Sequence, residues 1–208
     1  IDRVAKAEAI FIAGGDQSNY IEDWKGTALD TTLRAAIAAN VPLGGTSAGL
    51  AVLGQFDFAA LNGTISSDEA LKNPFSRRMT LDRGFLTGAG LDGVIADAHL
   101  DTRDRMGRLM VFLARLVQDG WGTALQVHGI GVNVETALVV DNGVYTRLGL
   151  GSVYLLQPTM APTLCQPKQP LTFRNVTVDR LSPGGSVRYD LSAEGGVLYS
   201  SQAGGAIY

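Results

Sequence analysis

Cysteine is almost absent. The single one among 208 residues, Cys165, excludes an internal disulfide, and without clustered histidines it excludes a thiolate metal site. Its default role is that of a small buried apolar side chain. Histidine is nearly as scarce, with only His99 and His128, so imidazole chemistry has two candidates. A basic surplus is missing too: Lys and Arg number 17 against 20 Asp and Glu, for a formal net charge of −3. No long basic run supplies the electrostatic footprint that nucleic acid requires. No apolar run approaches the roughly 20 residues needed to cross a bilayer, so neither nucleic acid nor membrane is expected as a partner. The start, Ile1-Asp2-Arg3-Val4, lacks the plan of a secretory signal. A mature exported chain would start the same way, which leaves cytoplasm and exterior both open. No metal or organic cofactor is expected.

What is present reads as α/β. A length of 208 residues suits one compact domain over 1–208, with 157–208 expected as a β-rich extension packed on the core. Ala9 to Ala13 is a short apolar run ending at Gly14-Gly15, the pattern of a buried parallel strand feeding a tight turn. Thr31 to Ala39 places Leu33, Ala36 and Ile37 at helical spacing, and Pro42 stops continuation beyond Asn40. Val41-Pro42-Leu43 enters Gly44-Gly45-Thr46-Ser47-Ala48-Gly49 and then Leu50 to Leu53, in the order strand, sharp turn, helix. Gln55 to Arg83 is irregular and polar and predicts a long surface excursion. Gly93 to Asp97 predicts a buried strand, followed by a helix capped by Asp101 with an apolar stripe of Met106, Leu109, Met110, Leu113 and Leu116. Asn142-Gly143 marks a hairpin between Ala137 and Thr146.

Gly45-Thr46-Ser47-Ala48-Gly49 matches G-x-S-x-G, in which flanking glycines permit a cramped strand-to-helix turn that projects a nucleophilic hydroxyl. The turn also aims a helix N-terminus and the Ala48 amide at the place where an oxyanion would form. The competing interpretation is a glycine-rich turn with a capping serine. A nucleophilic serine needs a base. His99 follows a buried strand and precedes a helix, at the same sheet edge as Ser47, whereas His128 reads as a structural histidine at a strand end. Two acids could orient the base: Asp97, two residues away, or Glu135, beyond the next strand; the residues alone leave both open. Arg103, Arg105 and Arg108 fall in the first turns of the helix after His99, where cations oppose the dipole. They predict either pairing with Asp101 and Asp104 or a site for a substrate carboxylate.

Taken together these segments resemble the cyanophycinase-like serine peptidases, a family that includes aspartyl dipeptidases. The matching pieces are Ile12-Ala13-Gly14-Gly15-Asp16-Gln17, Gly44 to Gly49, Asp97-Ala98-His99-Leu100 and Arg103 to Leu109, spread from about Ala9 to Val140. The resemblance implies a mostly parallel sheet sandwiched by helices, flavodoxin-like or class I glutamine-amidotransferase-like, with a C-terminal β extension. It implies Ser47 as nucleophile, His99 as base, Glu135 as the displaced third member, and an oxyanion hole from Ala48 and Gly15. Gln17, Arg103 and Arg105 would line the substrate pocket. The implied partner is a peptide with an aspartyl residue, including the β-aspartyl–arginine units of cyanophycin. It also implies leading βα units ahead of Ile1, expected as a separate N-terminal segment of the same fold, and a homodimer is a further expectation.

One departure stands out. Where the family has an Asp-Glu pair after its Gly-Ile-Gly-Val stretch, this chain has Asn133-Val134 with the acid one place later. A catalytically impaired, peptide-binding relative is therefore the alternative. An esterase of the α/β-hydrolase type shares G-x-S-x-G but places its histidine late in the chain, and no histidine follows His128.

Overall fold

A computed structural model describes residues 1–208. Helix α1 (Asp2–Ala5) leads to β1 (Ile10–Ile12), α2 (Gln17–Trp24), α3 (Ala28–Ala38), β2 (Leu43–Gly45) and the single turn α4 (Ala48–Ala51). Next come β3 (Phe56–Phe58), α5 (Ser67–Lys72), β4 (Leu81–Arg83), β5 (Val94–Ala98) and the longest helix, α6 (Met106–Gln118). Strands then dominate: β6 (His128–Val132), β7 (Thr136–Asp141), β8 (Val144–Gly149), β9 (Val153–Pro158), β10 (Phe173–Ser182), β11 (Gly185–Glu194) and β12 (Val197–Ser200). The chain is α/β, with an eight-stranded sheet in the order β12-β11-β10-β9-β6-β5-β3-β4 and the small sheets β1-β2 and β7-β8.

The expected mostly parallel sheet is in fact mixed. Only β1/β2, β3/β5 and β5/β6 pair in parallel. From β10 onward the chain returns through tight turns, and such hairpin connections make antiparallel pairs, while the longer 159–172 connection brings β10 back antiparallel to β9. The C-terminal strands thus prolong the main sheet through the β6/β9 pairing and do not pack on it as a separate layer.

Helix α6 carries the core. Its Met106, Leu109, Met110, Phe112, Leu113 and Leu116 are fully buried, against Phe56, Phe58 and Ile95 of the parallel strands and Tyr154, Leu156 and Val178 of the C-terminal ones. Each such side chain contributes about 1.5–3 kcal/mol of burial. Strand β5 is buried at all five positions, as a strand covered on both faces must be.

Three local expectations differ from the structure. The helix after His99 begins at Met106, so Asp101 to Asp104 form turns, Arg105 stands at the N-cap position and Asp101 is not the cap. Hydroxyls distant in sequence cap it instead: the Arg108 N–H donates to Ser67 Oγ at 3.1 Å and the Met106 N–H to Tyr208 Oη at 3.0 Å. The stretch from Gln55 to Arg83 is not a surface excursion; it contains buried β3 and the half-buried α5, its strand signal masked by Asp57 between two phenylalanines. Strand β1 is parallel as expected but not wholly buried, since Phe11 is 70 % exposed.

Candidate active site

The turn between β2 and α4 is built around two glycines. A Cβ at Gly45 would collide with the Gly49 carbonyl, and one at Gly49 with the carbonyls of Ile12 and Ala13. Only bare backbone lets the chain reverse beside β1. Between them Ser47 adopts φ 53° and ψ −115°, a conformation that costs a non-glycine residue about 1–3 kcal/mol.

His99 terminates β5 with φ 54°, and its turn is held by the Leu100 N–H donating to the Val132 carbonyl at 3.1 Å. The left-handed step turns the ring out of the strand's alternation, and its Nε2 lies 3.0 Å from Ser47 Oγ. His128 begins β6 opposite Val94, at the other end of the parallel pair from Ala98 and Val132, which keeps it away from the serine. Burial first, and then the charges of Arg103 and Arg105, hold the His99 pKa below the ordinary imidazole value, with Asp97 and Asp101 opposing. The ring is therefore neutral, and able to accept a proton, at neutral pH.

Ser47 stands in the wall between two cavities. One, of about 410 Å³, is polar and lined by Gln17, Thr64, Arg103 and Arg105 among others. The other, of about 440 Å³, is apolar, with Phe11, Leu50, Ile130 and Leu138 in its walls and His99, Asn133 and Glu135 on its lining.

The Gly14-Gly15 turn packs directly on the serine: a Cβ at Gly14 would lie 3.2 Å from Ser47 Cβ. Tyr20 fixes this turn by donating its hydroxyl proton to the carbonyls of Ala13 at 3.0 Å and Gly14 at 3.3 Å. Because a trans peptide points its N–H opposite its C=O, the Gly15 amide faces away from Tyr20. Ala48 opens α4, so its N–H has no carbonyl one turn earlier. With only four residues in α4, this amide acts as an individual donor and the helix dipole adds little.

The arginines divide their roles. Arg108, 2 % exposed, binds Asp97 through both carboxylate oxygens at 2.6 Å and spends its remaining fork on Thr64 Oγ1 and the Ile65 carbonyl. Arg105 donates to the Ala98 carbonyl at 2.7 Å and to Asp97 at 3.3 Å. Desolvation lowers its pKa to about 10, with Asp97 opposing, so it stays charged. Arg103 is exposed, forms no ion pair and keeps its guanidinium unspent. The predicted pairing of these arginines with Asp101 and Asp104 does not occur; Asp97 is the partner of Arg105 and Arg108, which removes Asp97 as the acid behind His99. Gln17 lines the polar cavity while its Nε2 donates to the Phe58 carbonyl at 3.1 Å. Glu135 is exposed at φ 52° and makes no hydrogen bond to His99.

Tyr20, Asp97 and Arg108 are the site residues that sequence patterns assign wrongly or miss. Their partners lie 6 to 44 positions away, beyond the reach of any local periodicity. Cys165 is buried, and burial pushes its thiol up to about 12, so it stays protonated and inert.

The family model described as Peptidase family S51 matches residues 1–72, the stretch that contains the glycine turn and Ser47. The cyanophycinase of Trichormus variabilis is 30% identical over 186 residues, covering 84% of this chain and 55% of that protein. The Nostoc sp. cyanophycinase gives the same figures. That of Geminocystis herdmanii is 31% identical over 159 residues, 74% of this chain and 50% of the relative. The chain is thus similar to peptidase family S51 over its first third and to cyanophycinases over most of its length. It spans about half the length of the curated relatives it matches. The serine turn, inside the stretch that matches the family model, and the histidine turn, beyond it, lie 52 positions apart, joined only by the way β2 and β5 end at one rim.

Proposed function

We propose that the chain carries a serine-type exopeptidase site that cleaves aspartyl peptide bonds, β-linked ones among them, through an acyl-enzyme at Ser47. The observation that carries this is the 3.0 Å approach of His99 Nε2 to the hydroxyl of a serine in a strained turn. Ser47 Oγ attacks the scissile carbonyl carbon as its proton passes to His99 Nε2. The amides of Ala48 and Gly15 receive the oxyanion, each donor of this kind being worth about 10²–10³ in rate. Collapse expels the amine with the proton from His99, and water then releases the acid by the same route in reverse.

The polar cavity supports an acidic substrate residue. Arg103 offers an unengaged fork to a carboxylate, Arg105 adds a second positive charge, and the Asp97–Arg108 pair holds the floor. In the apolar cavity, by contrast, no ionisable side chain other than Glu135 and His99 is available. The test compares α- and β-aspartyl dipeptides with wild-type protein and Ser47→Ala. Turnover by the wild type alone is expected, and equal turnover by both would remove Ser47 from the mechanism.

A second reading has one specific observation behind it: no carboxylate contacts the His99 ring. It makes the chain a peptide-binding relative with impaired chemistry. A fluorophosphonate probe separates the two, since failure to label Ser47 in folded protein favours the binder.

A further inference from the structure

His99 has one ring nitrogen accounted for. With Nε2 facing the Ser47 hydroxyl, a neutral imidazole that is to act as base carries its proton on Nδ1. Nothing in the structure accepts that proton. The surrounding carboxylates are committed elsewhere or turned away: Asp97 to Arg108 and Arg105, Asp101 Oδ1 to the Val134 N–H at 3.3 Å, and Glu135 out at the surface.

The residue beside His99 is Asn133. Strands β5 and β6 pair with Ala98 opposite Val132, so the next residue of each, His99 and Asn133, are lateral neighbours at the same carboxyl edge. Both line the apolar cavity. Asn133 Oδ1 is buried without a hydrogen-bond partner, a state that folded proteins seldom leave in place. Its main chain is fixed, the N–H donating to the Ser152 carbonyl at 3.1 Å, which leaves side-chain rotation as the free variable.

We infer that Asn133 is the positioning residue for His99. A rotation of its side chain brings the orphan carbonyl onto the Nδ1–H, giving Ser47, His99 and Asn133 in series with no carboxylate. A neutral amide fixes the tautomer and ring orientation but places no negative charge behind the imidazolium. The His99 pKa therefore stays low, held down first by burial and then by the positive charges of Arg103 and Arg105, with Asp97 and Asp101 partly offsetting them. The inference rests on the Ser47–His99 chemistry proposed above.

The test uses the full chain in a His128→Gln background, which leaves one imidazole for ¹⁵N NMR titration. Asn133→Asp is expected to raise the His99 pKa by about one unit or more and to move the acid limb of fluorophosphonate labelling upward with it. Asn133→Ala is expected to slow labelling by about tenfold or more and to mix the two neutral tautomers, with circular dichroism confirming the fold. Glu135→Gln is expected to leave titration and labelling unchanged. A His99 titration insensitive to both Asn133 variants overturns the inference, as does one that shifts with Glu135→Gln instead. Should Ser47 fail to label in wild type while the titration still responds to Asn133→Asp, the contact stands and the hydrolase reading fails.

Discussion

Ser47 keeps its strained backbone because the residues around it permit no other path. The collision awaiting a Cβ at Gly49 is with the carbonyls of Ile12 and Ala13, main-chain atoms that cannot swing aside. Gly49→Ala should therefore cost about 3 kcal/mol, read from urea unfolding, and should abolish fluorophosphonate labelling of whatever protein remains folded. The pH dependence follows from His99. Its folded pKa lies below 6.5, and the neutral ring is the proposed base, so peptide turnover should rise with pH and reach half its plateau below that value. A half-point above it would mean that a negative charge backs the ring. Both residues are legible in the sequence because their signals are local: two glycines around a serine, and a histidine between a buried strand and a helix. Tyr20 is not legible, since nothing in its neighbourhood shows that its hydroxyl holds the turn that offers Gly15.

Helix α6 shows how an element can be plain in the sequence while its beginning is not. The apolar stripe from Met106 to Leu116 fixes which face meets the sheet, and that periodicity survives any tertiary context. Its N-terminus depends on Tyr208, the far end of the chain, whose hydroxyl accepts from the Met106 N–H and donates to Asp104 at 3.0 Å. Tyr208→Phe should remove about 1 kcal/mol, seen as a lower unfolding midpoint by circular dichroism with α6 packing retained. Replacing Asp97 is a larger change. Asp97→Asn strips the partner from Arg108, a guanidinium 2 % exposed, and should cost about 3–5 kcal/mol in the same measurement. The Asn142-Gly143 hairpin, by contrast, forms where the dipeptide indicates, with φ 48° and 78° at its two corners.

At the scale of the whole molecule, stability should depend on one carboxyl with no part in the site. Asp57 is fully buried in β3, opposite Asp82 across the pair with β4, and neither of its oxygens has a hydrogen-bond partner. Burial first, then the charge of Asp82, raises its pKa well above the ordinary carboxylate range, with Lys25 opposing. The folded state thus favours the protonated form. Its contribution is full below the unfolded value of about 3.9 and is lost as pH climbs through the raised folded one. Asp57→Asn has no such proton to lose, so its melting temperature relative to wild type should increase as pH climbs above about 4; a constant difference would show that Asp57 does not titrate on unfolding. The sequence by itself determined the glycine turn around Ser47, the histidine at a strand end, the amphipathic α6 and the hairpin, because each is written in backbone preference or in the period of apolar residues. Only the tertiary structure decided that Asp97 serves Arg108, that Asn133 stands beside His99, that the sheet is mixed and that the C-terminal strands prolong it. Those depend on strand order and register, which bring together side chains whose separation along the chain carries no periodic mark.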